Sequence, residues 1–263
     1  MTIKRVAAKV LQWAVALGVF YVVWQFIVVP GTSRAVIATP ASVWTTISQW
    51  VKDGTLWSIT GHTLGEALLA FVIAGAVGIL LALAVALLPP LVGEVIEPAV
   101  TALYAAPKFV LVPLLVLWLH QGFAPVVLLV VISLFPQIFL YTVTGVRTVD
   151  PDRVQMMRLM GASSWQVAFK LLLPNALRYI ATGLTLSAPH AVTISIGAEI
   201  LLSAEATGIG GTLSNAAQLF QSSTVLAALV VGTILCLAFI TLSRKIGEIL
   251  PGVPTNGEQA GWM

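Results

Sequence analysis

Six stretches of this chain are each apolar for about as long as a membrane is thick: Val10–Val29, Leu64–Leu88, Val100–Leu119, Ala124–Val146, Thr182–Leu202 and Thr224–Ser243. A helix rises about 1.5 Å per residue, and the hydrocarbon layer is roughly 30 Å deep, so about 20 apolar residues suffice to cross it. Inside that layer no water pairs with the backbone, and segments of this length satisfy their own N–H and C=O groups only as helices. The charge content agrees: 9% of residues are charged, against about 25% in a soluble domain. A single cysteine, Cys236, excludes a disulfide scaffold, and a net charge of +3 is too small for a nucleic-acid binder. The expectation is an all-α integral membrane protein with six transmembrane helices in one domain, residues 1–263, and no nucleic-acid partner. Pro107 and Pro113 should kink the third span.

Basic residues orient the spans, because Lys and Arg collect on the cytoplasmic side. With a cytoplasmic N-terminus, Lys4, Arg5, Lys9, Lys108, Arg147, Arg153, Arg158, Lys170, Arg178, Arg244 and Lys245 fall inside, and only Arg34 and Lys52 outside. Both termini are therefore expected in the cytoplasm. The apolar run after Lys4-Arg5 exceeds the 7–15 residues usual in the core of a signal peptide, and no small-residue cleavage site follows. It reads as an uncleaved first span.

Two polar segments carry helical patterning. In the first outer loop, Val43, Trp44, Ile47, Trp50 and Val51 share a stripe, as in amphipathic helices that lie in the headgroup layer. The long inner loop, residues 147–178, places Met156, Met157, Met160, Trp165, Val167, Ala168, Leu171 and Leu172 at helical spacings around Gly161-Ala162-Ser163-Ser164. It reads as helix, short break, helix, ending at Leu173-Pro174, with Ser163 or Ser164 capping the second helix. Topology alone needs only a few basic residues and no such periodicity. Short Met-rich helices flanked by basic residues suit docking into a groove of a soluble partner.

This loop resembles that of the inner-membrane permease subunits of binding-protein-dependent ABC importers. Their loop carries E-A-A-x-x-x-G, nine residues, then I-x-L-P; here Gly161 is followed by Ala162 to Lys170 and then Leu171-Leu172-Leu173-Pro174. The E-A-A positions hold Gln155-Met156-Met157 instead. The likeness runs from about Ile37 to Ile240. Pro40-Ala41-Ser42-Val43-Trp44, Thr63-Leu64, Phe71, Gly75, Pro98, Pro107, Pro113-Leu114, Trp118, Gly122 and Gly208-Ile209-Gly210 are similar to the sulfonate, taurine and nitrate subfamily, although an Arg common there is Glu66 here.

The resemblance implies a type I ABC importer permease fold and a pore formed by two copies of the chain, or by this chain and a relative. It implies two ATP-binding subunits on the cytoplasmic side, carrying the ATP, and a periplasmic or lipid-anchored binding protein outside. The chain would sit in a bacterial inner membrane and bind no cofactor itself. The ATPase-coupling loop would comprise Gln155, Met156, Met157, Arg158, Gly161, Ala162, Ser163, Leu173 and Pro174, and the cargo would be a small anion.

Polar side chains within spans tend to face a cavity or another helix. At about 100° per residue, Ser187, His190, Thr193 and Gly197 share a face of the fifth span, a candidate substrate pathway. The same residues would also suit bonds across a helix contact. Glu199 and Ser195 point away from that face, which suits a structural tie to backbone or a neighbouring span. No catalytic residue or metal site is expected: there is no phosphate loop, no H-E-x-x-H, and His62, His120 and His190 fall on separate segments. A secondary transporter or channel working without ATP is the alternative, and a membrane-embedded enzyme is a poorer one. No internal repeat of the kind secondary transporters use is visible.

Overall fold

A computed structural model describes residues 38–202 and 207–249, with isolated positions between 15 and 25. The expected first span, Val10–Val29, lies almost wholly outside the described residues, as do both termini. Four described helices are long and apolar enough to cross a membrane, and a bent pair makes a fifth candidate. All regular structure among the described residues is helical.

Helix α1, Pro40–Asp53, is capped by Thr39, whose side chain accepts from the Ser42 N–H. Its stripe is divided. Val43 and Trp50 are buried with Ile209, Ala227 and Val231, and Ile47 packs beside them. Trp44 and Val51 stay exposed on the adjoining face. Gly54, at φ +83°, ends α1 and opens α2, Thr55–Leu87. The Thr55 N–H donates to the Asp53 carboxylate at 3.0 Å, a bond that holds this acid below its ordinary range. Helix α2 thus begins nine residues before the apolar run at Leu64, within one continuous helix.

The third stretch is broken rather than kinked. Helix α3, Pro90–Ala105, stops because Ala106, preceding Pro107, is extended (φ −64°, ψ 143°). The chain resumes as a single 3₁₀ turn, Lys108–Leu111, and α4, Val112–Leu119, bent by 89°. Helix α5, Phe123–Arg147, is the central element, with much of its surface covered on all sides.

Helix α6, Pro151–Leu159, and helix α7, Ser164–Leu202, follow. The expected stop at Leu173-Pro174 does not occur. A π turn over Ala168–Leu172 shifts the hydrogen-bond register, and the helix runs through Pro174 into the membrane span. The second helix of the 147–178 loop and the fifth span are therefore one continuous helix. A short helix, α8 (Gly208–Gln218), and α9 (Ser222–Ile249) complete the described chain.

Helices α2, α5 and α7 pack most closely. Ala67, Ala70 and Ala74 on α2 meet Val126, Leu129, Val130 and Leu134 on α5 and Ala188, Ala191 and Val192 on α7. Small residues set this distance, since lipid offers no hydrophobic gain and close van der Waals contact must hold the helices together. A Cβ on Gly78 would lie 2.9 Å from the Phe135 carbonyl, and one on Gly183 2.9 Å from Tyr141 Cβ. The Gly122 N–H donates to the Leu202 carbonyl at 2.8 Å, tying the start of α5 to the end of α7.

Candidate functional site

The turn between α6 and α7 is built by local rules. Asp150 caps α6, its carboxylate accepting from the Asp152 N–H. At the other end the Ala162 N–H reaches the Met157 carbonyl and the Gly161 N–H the Arg158 carbonyl, both at 3.0 Å. This paired arrangement needs a left-handed residue, and Gly161 supplies φ +83°. Ser163 then caps α7 reciprocally: its hydroxyl accepts from the Gln166 N–H and its own N–H donates to the Gln166 side chain. The cap is Ser163, not Ser164.

The residues expected to form the coupling loop divide between two surfaces. Gln155, Met156 and Arg158 are exposed on α6, Met157 packs beneath against the core, and Ala162 is half-buried. Gly161 and Ser163 are exposed at the turn, while Leu173 and Pro174 lie farther along α7. Leu159 and Met160, 82% and 81% exposed, extend the patch formed by Met156 and Trp165. The Trp165 ring stacks on Phe169, with centroids 4.1 Å apart. Below it Val167 and Leu172 are buried with Val146, Val149 and Ala176, so the turn is anchored to α5 and α7. The result is an exposed apolar knob on α6 and the start of α7, with Arg153 and Arg158 also exposed on α6.

At the opposite end of the bundle lies a buried polar cluster. Glu199, on α7, is wholly buried and held from two sides. Thr63 Oγ1 on α2 donates to its Oε1 at 2.7 Å, and the Gly210 N–H on α8 donates to its Oε2 at 2.6 Å. Thr63 Oγ1 in turn accepts from the Ile209 N–H at 2.9 Å. A Cβ on Gly208 or Gly210 would overlap the Glu199 side chain, and Gly208 also sits at φ +72°. The Gly208-Ile209-Gly210 turn is therefore the seat of the Glu199 carboxylate. Glu66, one turn from Thr63 and also fully buried, faces the same point, with His62 beside it on α2.

The candidate pathway residues fall on two sides of α7. His190 and Thr193 are exposed, and the Thr193 hydroxyl donates to the Pro189 carbonyl at 3.0 Å, close to Cys236. Ser187 is not on that open face; it is buried, as is Ser195. At 100° per residue Ser187 sits 60° round the helix from His190, far enough to turn it toward the packed side. Sequence reasoning missed the meeting of His62, Glu66 and Glu199. Its only signal was ionisable residues inside apolar spans, two of them at i, i+4.

Residues 74–250 match the family described as binding-protein-dependent transport system inner membrane component. The chain is 29% identical over 210 residues to the taurine transport system permease protein of Escherichia coli (strain K12), covering 80% of this chain and 74% of that one. It is 25% identical over 214 residues to a putative aliphatic sulfonates transport permease protein of Bacillus subtilis (strain 168), covering 81% and 76%. Among solved structures, a bacterial ABC transporter involved in the import of the acidic polysaccharide alginate superposes with a TM-score of 0.63 at 14% identity, covering 93% of this chain and 97% of that one. The fold is that of an ABC importer permease, and the chain belongs to the family of inner-membrane components of binding-protein-dependent transport systems.

Proposed function

We propose that this chain forms, with a second copy of itself, the pore of an ATP-driven importer for a small oxyanion such as a sulfonate, taurine or nitrate. Two ATP-binding subunits seat on the α6–Gly161 turn from the cytoplasm, and a soluble or lipid-anchored binding protein delivers the anion outside. Both termini are cytoplasmic. The observation that carries the coupling role is the exposed apolar knob of Met156, Leu159, Met160 and Trp165, fixed between two cap motifs on a rod continuous with the fifth span.

ATP-driven closure of two ATPase subunits displaces the two knobs, and each rod passes that displacement into its bundle. Access alternates because ATP and the loaded binding protein favour different packed states. The substrate class is supported by the taurine and sulfonate relatives. The open face of His190 and Thr193 offers an imidazole N–H to a passing anion, while the Thr193 hydroxyl donates to the Pro189 carbonyl.

Purifying the assembled complex, identifying its binding protein and titrating that protein with anions tests the class. Binding of taurine, an alkanesulfonate or nitrate is expected. Selective binding of a cation or a neutral sugar would overturn it.

A further inference from the structure

Two carboxylates and an imidazole converge inside the bundle, and among the described residues no Lys or Arg is paired with them. His62 Nδ1 lies 3.6 Å from Glu66 Oε1 and 3.9 Å from Glu199 Oε1, and one ligand atom from each residue falls within 4.8 Å of the others. Glu66 is 0% exposed, and neither of its oxygens has a hydrogen-bond partner; buried His62 Nδ1 also has none. A buried, unpaired carboxylate is costly, so native structures pair such groups or give them to a metal. Elsewhere in the cluster every bond is made: Glu199 accepts from Thr63 and Gly210, and those donors aim its carboxylate at the same point. The unsatisfied atoms of the cluster are both Glu66 oxygens and His62 Nδ1, which face the carboxylate of Glu199.

We propose that His62, Glu66 and Glu199 bind a divalent transition cation of the Zn²⁺ class, which fastens α2 to α7 and, through Gly210, to α8. His62 and Glu66 are one turn apart on α2, a spacing that directs both side chains to one ligand. Zinc takes nitrogen at roughly 2.0–2.1 Å and carboxylate oxygen at roughly 2.0–2.2 Å. Tetrahedral bonds of that length put neighbouring ligand atoms about 3.3–3.6 Å apart; the two imidazole–carboxylate distances, 3.6 and 3.9 Å, are already close to this, and the three ligand atoms would draw together from within 4.8 Å. Thr63 and Gly210 act as the orienting partners that metal-bound carboxylates require. An imidazole with two carboxylates favours zinc-class ions over Mg²⁺ or Ca²⁺, which take oxygen alone.

Phe123 packs edge-on to the His62 ring, with centroids 5.7 Å apart, limiting its swing. The His62 side chain is 31% exposed while its Nδ1 is buried, so the cluster lies one ring's depth from the surface of the bundle. This inference stands apart from the transport reading, because it concerns metal content and stability rather than cargo.

The test uses the purified permease–ATPase complex, stripped with EDTA and titrated with ZnCl₂ alone. One Zn²⁺ per permease chain is expected, with a rise of several degrees in melting temperature. Glu66→Gln, which keeps the shape and removes the charge, should weaken binding at least tenfold and abolish the thermal shift, and His62→Gln should do the same. If either variant fails to assemble, the stripped and reloaded wild-type complex decides by stoichiometry and melting shift. No zinc bound by wild type above the Glu66→Gln level, or a melt that zinc leaves unmoved, overturns the proposal and leaves a carboxyl pair balanced by a shared proton.

Discussion

Gly161 owes its place to one dihedral angle. A Cβ there would meet nothing within 4 Å, so crowding is not the constraint; φ +83° is. For a residue with a side chain the left-handed region costs roughly 1–2 kcal/mol, most for β-branched residues and least for Asn. Gly161→Val should therefore reduce the ATPase co-purifying with the complex and the transport rate together, while Gly161→Asn keeps most of both. Equal ATPase retention in Gly161→Val and wild type would contradict the coupling role. Thr63 is the matching case at the other end. Thr63→Val strands the buried Ile209 N–H and removes a donor to Glu199, at a cost of about 1–3 kcal/mol. Thermal denaturation of the complex should show this loss, with Thr63→Ser restoring most of it. The two residues differ in legibility. Gly161 announces itself by sitting between helical runs, whereas the Thr63–Glu199 bond joins residues 136 apart, and no local pattern records it.

At the scale of the element, helix α6 separates binding from stability. Met156, Leu159 and Met160 are exposed, so replacing all three with Ser should change stability only slightly, each site by about 0.5 kcal/mol or less. ATPase association, read by pull-down in detergent, should nonetheless fall markedly. The ion pair between α5 and α3 offers a contrast. Arg147 Nη2 lies 2.8 Å from Glu97 Oε1, but the Arg147 side chain is 69% exposed. Arg147→Ala should cost less than about 1 kcal/mol in thermal denaturation. The span of α5, expected at 124–146 and observed at Phe123–Arg147, was legible because its apolar run is bounded by Gly122 and Arg147. The 89° break after α3 was not: Pro107 marks a disruption, but the direction in which the chain resumes is set by tertiary packing. Likewise, Pro174 suggested a stop that the preceding π turn removes.

Across the whole molecule, a buried polar cluster at one end and an exposed apolar knob at the other are joined by α7, which contributes to both. Under the proposed function that arrangement would serve as a lever, fastened at the Glu199 end and gripped by the ATPase at the Trp165 end, with the open face of His190 and Thr193 between. Within this frame His190→Ala should change the transport rate while assembly with the ATPase is unaffected; an unchanged rate would remove His190 from the pathway. The family and the helical, membrane-spanning character were readable from apolar run lengths and the loop spacing around Gly161. The pairing of distant helices was not, since lipid-facing and helix-facing residues are both apolar. Uptake by proteoliposomes that contain the permease–ATPase complex, supplied with the loaded binding protein outside, tests the central claim most directly. Uptake should require ATP trapped with the cytoplasmic face and cease when ATP is replaced by a non-hydrolysable analogue. Uptake that persists without ATP, or follows an imposed ion gradient instead, would contradict it.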